Sequence, residues 1–230
     1  MDLADRNNAG IKNHSIVNNS ANSSVIENKE SNKVKYEIHS QQKRTDSISD
    51  TEAVEMLEWQ RERGYAALLD DGTPVIGAYD NYSDQTLLAL AELADPKAMQ
   101  ILGDRSYRSG DVDTAINYYY GAAVLGYSKP TIDVGNIFMS QYYKESDSNK
   151  KRELALTAQA WFSLAEIRGD IQVRFTQKMN QLDFTANEKE LIEERSKELY
   201  RDMLNKRKSL GYNDFDNKTP KAIEKMYGYK

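Results

Sequence analysis

His14 and His39 are the only histidines in the chain, and there is no cysteine. Both histidines fall in an N-terminal stretch, 1–48, that reads as unstructured. The part of the chain able to fold therefore lacks the usual general base, the commonest zinc ligand and the centre of every serine or cysteine triad. Absent thiols also remove disulfides and thiolate metal sites. What remains is the chemistry of carboxylates, lysines, tyrosines and serines. Asp111 with Asp113, and Glu193 with Glu194, could act as acid and base if a pocket split their pKa values. Asp111, however, stands where a helix opens, and Glu193-Glu194 lies on a charged helical face, so a cap and a solvated surface account for both pairs. Glycines occur singly, without the clustering that cradles a phosphate. The residues favour a non-enzymatic protein with no cofactor and no metal, leaving a carboxylate-dependent hydrolase as the remote alternative.

Tyrosine is the other abundant polar group, with 15 residues that include Tyr118-Tyr119-Tyr120 and Tyr142-Tyr143. Consecutive helical residues point about 100° apart, so a triplet cannot share one face. Tyr119 is expected in the core, Tyr118 near a neighbouring hairpin and Tyr120 half exposed. Any tyrosine left over suits a binding surface, because it offers large contact area with few rotors to freeze.

The elements that would position these groups are helical. Ser49-Asp50-Thr51-Glu52 has the reciprocal serine and glutamate spacing of a helix start, and the helix that follows runs to about Arg63 with Val54, Leu57, Ala53, Met56 and Trp59 as its apolar stripe. Residues 66–82 hold Asp71-Gly72-Thr73-Pro74 and Gly77 and read as an irregular connection. From Asp84 the chain alternates amphipathic segments, at 84–94, 96–109, 113–125, 129–145, 150–168, 171–182 and 187–209, with breaks at Asp95-Pro96, Gly110-Asp111, Gly126-Tyr127 and Gly169-Asp170. Thr185-Ala186-Asn187-Glu188 repeats the capping spacing before the last of them. The organisation expected is a disordered Asn/Ser-rich tail at 1–48, a helix and connection at 49–82, a helical array at 83–210 and an extension at 211–230.

Composition bounds the partners. With 39% apolar and 29% charged residues the chain can bury an ordinary core, and no stretch reaches the roughly 18 apolar residues of a membrane span. The net charge of -5 divides as +1 over 1–48, -8 over 49–185 and +2 over 186–230. No face of aligned lysines and arginines is evident, so nucleic acid is not an expected partner. The compartment expected is cytoplasmic as the sequence reads, or periplasmic if a signal or anchor precedes it.

Self-similarity is the strongest signal. Leu102-Gly103 aligns with Val134-Gly135 at an offset of 32, and Ala115, Tyr119, Ala122 and Gly126 align with Ala158, Phe162, Ala165 and Gly169 at an offset of 43. The difference is an 11-residue insertion near the polar run 144–149. Small residues let two antiparallel helices approach closely while Leu102, Tyr119 and Phe162 fill the space between hairpins.

In these residues the chain resembles the Sel-one-like repeat, a subclass of the tetratricopeptide repeats. The match runs from Ala98 to Leu102-Gly103, then Gly110-Asp111, Ala115, Tyr118-Tyr119, Ala122-Ala123 and Gly126, and again through Ala158, Trp161-Phe162, Ala165-Glu166 and Gly169-Asp170. It covers about 84–210, and the closing charged helix is similar to those that end such arrays in bacterial relatives. Ser106 stands where the repeat has an aromatic, Pro130 replaces an alanine, and the unit from Ile171 has no Leu-Gly pair. The resemblance implies an all-α solenoid of antiparallel helical hairpins, with seven to eight helices, that binds a protein or peptide. It further implies that the first helix of each hairpin lines the groove, which would place Lys97, Gln100, Asp104, Tyr107 and Arg108, then Lys129, Ile132, Asn136, Met139 and Ser140, toward a partner. A structural subunit that self-associates is the alternative.

Overall fold

Ser49 and Glu52 satisfy each other's backbone at the start of helix α1 (Asp50–Glu62), the serine hydroxyl accepting from the Glu52 N–H and Glu52 Oε2 accepting from the Ser49 N–H at 3.0 Å. The computed structural model describes residues 49–65 and 77–227, and within them the chain is all-α, with no strand. After α1 come a 3-10 turn at Ala78–Asn81, α2 (Asp84–Glu92), α3 (Pro96–Ser109), α4 (Val112–Val124), α5 (Lys129–Lys144), α6 (Ser148–Ile167), α7 (Val173–Asn180), α8 (Ala186–Ser209) and α9 (Lys221–Tyr227). The tail at 1–48 and most of the expected connection, 66–76, lie outside the described residues.

Local chemistry sets most boundaries. Asp95 Oδ1 accepts from the backbone of Lys97 and Ala98 with Pro96 harmless in the first turn, and Gly110 at φ 88° ends α3 in the left-handed region. Asp111 and Asp147 cap α4 and α6 in the same way. Thr185 and Glu188 form the reciprocal cap of α8.

The repeat's small residues have a direct steric meaning. A Cβ added to Gly103 would lie 2.8 Å from the Tyr119 ring, and one added to Gly135 would lie 2.4 Å from the Phe162 ring. Each glycine on one helix thus receives the aromatic of its partner, which binds α3 to α4 and α5 to α6 in antiparallel pairs. Tyr119, Val134, Ile137, Trp161 and Leu164 share one buried cluster with Met203 of α8, so α8 closes the far side of α6. A second cluster joins Ile132 and Met139 to Ala158, Phe162 and Val173, and a third joins Leu87 and Ala91 to Ala98, Ile101 and Leu102.

One element departs from expectation, and the extension carries structure for which no expectation was made. On α1 the buried side is Trp59 with half-buried Met56, whereas Val54 and Leu57 are each 55% exposed, so the stripe is rotated from the one the apolar letters suggested. The 211–230 extension is folded over its described part: it returns from α8 across the Gly169 turn to α1 and ends in α9. Phe215 is buried under Arg168, whose guanidinium carbon sits 3.6 Å from its ring centre, and Trp59 Nε1 donates to the Lys218 carbonyl at 3.0 Å. Ile223 of α9 completes an apolar cluster with Trp59 and Ile171.

Helix α8 is fastened to α6 by charge as well as by packing. Arg152 Nε and Nη2 donate to the two Glu188 oxygens at 2.6 and 2.7 Å. Arg152 first, then the Thr185 backbone N–H and hydroxyl, hold the Glu188 carboxyl at about 2, against an ordinary 4.5. A depressed acid stabilises the fold above its unfolded pKa, so this contribution is complete above about pH 4.5 and vanishes as pH falls toward 2. Urea midpoints measured from pH 5 to pH 2 are expected to fall less steeply in Glu188→Gln than in the parent chain; parallel curves would refute the linkage.

Candidate functional site

The starts of three helices, α3, α5 and α7, here the leading helices, converge on the end of α1. Gln100 Nε2 donates to the Gly64 carbonyl at 2.9 Å, the Lys129 N–H donates to the Arg63 carbonyl at 3.0 Å, and Gln60 Nε2 donates to Gln172 Oε1 at 3.2 Å. Beneath these contacts lies the fully buried carboxylate of Asp170. It accepts from Ser128 Oγ at 2.6 Å and from the Tyr65 hydroxyl at 2.9 Å. Burial pushes the Asp170 carboxyl up, and the hydroxyls of Ser128 and Tyr65 together with Arg63 oppose that push. Burial likewise raises Tyr65 well above its usual range, with Asp170 adding to the effect. Burial, then the neighbouring Arg63 and Arg207, lowers Arg168 to about 9, while its guanidinium donates to the Ala123 and Gly126 carbonyls at 3.2 and 2.7 Å. These groups are closed off; their role is to set the bases of the leading helices.

The residues expected to line a groove divide into two sets. Lys97, Asp104, Tyr107 and Arg108 share one face of α3, and Lys129, Asn136 and half-buried Ser140 share one face of α5. Asp104 Oδ1 accepts from the Tyr119 hydroxyl at 2.6 Å, and Lys129 Nζ donates to Asp133 at 2.5 Å. Gln100, Ile132 and Met139 belong to no accessible face. The Gly64-Tyr65 segment covers Gln100, and the contact of Phe162 with Gly135 draws the Ile132 and Met139 flank of α5 onto α6, where Val173 seals it.

Other residues on this surface were missed. Asp133 and Tyr143 continue the α5 face at helical spacing. Burial raises the Asp133 carboxyl, Lys129 and Lys97 lower it, and Asp104 raises it further. On α7, Phe175 and Met179 form one face. The ends of α5 and α7 meet where the Tyr143 hydroxyl reaches Asn180 Oδ1 at 3.5 Å. Tyr107 is 38% exposed, Tyr143 62%, Phe175 55% and Met179 66%. The signal for α5 was the 3- and 4-residue spacing from Lys129; for α7 none existed, since that unit lacks the glycine that sets the register.

Charge is distributed against the chain's total. Helices α3, α5 and α7 carry Lys97, Arg105, Arg108, Lys129, Lys144, Arg174 and Lys178 against only Asp104 and Asp133, a surplus of five positive charges in a chain of net -5. The acidic excess of the middle segment sits instead on α1, with Asp50, Glu52, Glu55, Glu58 and Glu62 against Arg61, and on α2. Arg105 pairs with Asp84 and Arg174 with Glu166, while Lys97, Arg108 and Lys144 have no ion-pair partner among the described residues.

Two cavities elsewhere among the described residues are open grooves. One of about 590 Å³ runs between α6 and α8, and its carboxylates Glu166 and Glu193 are paired with Arg174 and Lys197. Another, of about 510 Å³, lies at the α5–α6 turn, where Glu145 accepts the backbone N–H groups of Ser146 and Asp147. Paired and capping carboxylates of this kind are not poised for proton transfer.

The described residues thus define an all-α protein with paired helices and a mixed apolar and basic surface on its leading helices. No family model, curated protein or solved structure matches the chain.

Proposed function

We propose that this protein is a non-enzymatic binding module that holds a segment of a partner protein along the leading helices α3, α5 and α7 of a short Sel-one-like solenoid. The observation that carries the reading is the face itself. Tyr107, Tyr143, Phe175 and Met179 stay exposed on three helices whose starts meet the end of α1 and whose other sides carry buried residues. Exposed apolar side chains gathered on one surface and rimmed by polar groups mark interaction sites. The non-enzymatic part rests on chemistry: the two carboxyls that burial raises, Asp133 and Asp170, are engaged by Lys129 and by Ser128 and Tyr65.

Replacing Tyr107 and Arg108 together with alanine is expected to weaken partner binding about tenfold, with helicity and melting unchanged, since truncating an aromatic or arginine anchor costs 1 kcal/mol or more, roughly. Undiminished binding would remove α3 from the surface. A second reading, self-association, is favoured by α1, which exposes Val54 and Leu57 on an acidic helix. Light scattering of the intact chain separates the two, because a stable homo-oligomer belongs to the second.

A further inference from the structure

Helix α1 spends only one side on the fold. Trp59 and half-buried Met56 pack with Ile171 and with Ile223 of α9, and Glu52 pairs with Lys225 of α9. Away from that side, Val54 and Leu57 stand three residues apart, neighbours on the helix surface, and both are exposed. Glu55, Glu58 and Glu62, spaced three and four apart and also exposed, form a row beside them. Arg61 closes the apolar stripe in the last turn. Of the glutamates of α1, only Glu52 has an ion-pair partner among the described residues.

The fold explains neither the apolar pair nor the glutamate row. Like charges at three- and four-residue spacing repel, and Glu62 sits in the last turn, where the helix dipole disfavours an anion. Asp50 and Glu52, in the first turn, have the dipole on their side. Val54 and Leu57, left in water, add nothing to the packing of the isolated chain.

We propose that this side of α1 docks a basic amphipathic helix of a partner protein, its apolar stripe on Val54 and Leu57 and its lysines or arginines along Glu55, Glu58 and Glu62. The proposal is independent of the binding reading above, which concerns α3, α5 and α7. A helix is the matching element because it repeats apolar and charged positions at the same spacing along the roughly 20 Å of α1. At an interaxial distance of about 8–10 Å the apolar stripes meet while longer basic side chains reach the glutamates. Charge decides the class of partner. Nucleic acid and anionic lipid would be repelled by the glutamate row, and a second copy presenting its own α1 would set two such rows against each other.

The test uses the full chain and a fluorescent peptide of about 14 residues, with leucines at helical spacing and lysines along one flank. The controls are a scrambled peptide of the same composition and a version with glutamate for lysine. The expected result is saturable binding of the ordered lysine peptide, about tenfold tighter than the scrambled one and weakening severalfold from about 50 to about 300 mM salt, with the glutamate version unbound. Glu55→Gln with Glu58→Gln should weaken it about tenfold and flatten the salt dependence, whereas Val54→Ala with Leu57→Ala should weaken it at unchanged salt dependence. Glutamine and alanine both suit a helix, so α1 stays folded in each variant. Glu55→Lys with Glu58→Lys should transfer binding to the glutamate version. Equal binding of the scrambled peptide, or binding untouched by the α1 variants, overturns the proposal and leaves the reading of α3, α5 and α7 standing. Self-association of the intact chain that Glu55→Gln with Glu58→Gln abolishes would make a second copy the occupant and overturn it as well.

Discussion

Asp170→Ala is expected to lower the stability of the chain by about 2–4 kcal/mol and its melting temperature by roughly 4–16 °C. The carboxylate is fully buried and accepts from two hydroxyls, Ser128 Oγ and Tyr65 Oη. Alanine leaves both donors without an acceptor in a place water does not reach, and each stranded donor costs about 1–3 kcal/mol before relaxation. Arg63 and Arg168 lose the one internal carboxylate whose charge offsets theirs. The damage should also reach the binding surface. Ser128 precedes α5, Asp170 precedes α7 and Tyr65 follows Gly64, whose carbonyl holds Gln100 of α3, so the three leading helices lose their common reference. Asp170→Asn keeps one acceptor oxygen and should fall between the parent and alanine. A loss under about 1 kcal/mol in the alanine variant, measured by urea unfolding, would mean that water or rearranged hydroxyls replace the carboxylate.

Why the sequence reveals some of this and hides the rest follows from where each interaction lies along the chain. The caps at Ser49, Asp95, Asp111 and Thr185 are legible because donor and acceptor are two or three residues apart. The close approach of α3 to α4 and of α5 to α6 is legible because the repeat states its small residues twice, whereas the sequence set Tyr119 and Phe162 between hairpins and the structure lays their rings on Gly103 and Gly135 inside each pair. The rotated face of α1 is hidden, since what buries Trp59 and leaves Val54 in water is a carbonyl at Lys218, 159 residues away. Separation along the chain also hides Asp170, whose partners Ser128 and Tyr65 stand 42 and 105 residues away and which on sequence is only the residue after a helix-ending glycine. As for the proposed surface, Lys97, Tyr107, Arg108 and Asn136 were implied by the resemblance to the repeat, and the structure leaves each of them on an accessible side of its helix. Counting cannot show that Gly64-Tyr65 covers Gln100, or that the third unit replaces its glycine register with an exposed Phe175 and Met179. Charge misleads for a related reason: a segment total of -8 averages acidic α1 and α2 with basic leading helices.

Gly169→Ala should release the C-terminal strap, and it tests whether residues 211–227 are structural or incidental. Gly169 ends α6 at φ 76°, where any side chain is strained, and an added Cβ would lie 2.1 Å from the Asn217 carbonyl oxygen. That oxygen belongs to the strap's own backbone, which is also held by Thr219 Oγ1 donating to the Gly169 carbonyl at 2.7 Å and by Arg63 donating to the Asp216 and Lys218 carbonyls at 2.9 and 3.0 Å. The chain cannot relieve the clash by rotating a side chain; either the turn or the strap must move. Turn strain and overpacking together amount to about 2–4 kcal/mol. The strap is the cheaper to displace, because its hold consists of a few side chains, while Gly169 is fixed by two core helices. The expected signature is therefore local: faster hydrogen exchange at the Trp59 indole N–H, a red shift in tryptophan emission and early proteolysis after Leu210, with Tyr119 and Phe162 still protected. Uniform loss of protection would show instead that the strap and the helical pairs fold as one unit, and an unchanged Trp59 would show that the turn has yielded and the strap has held.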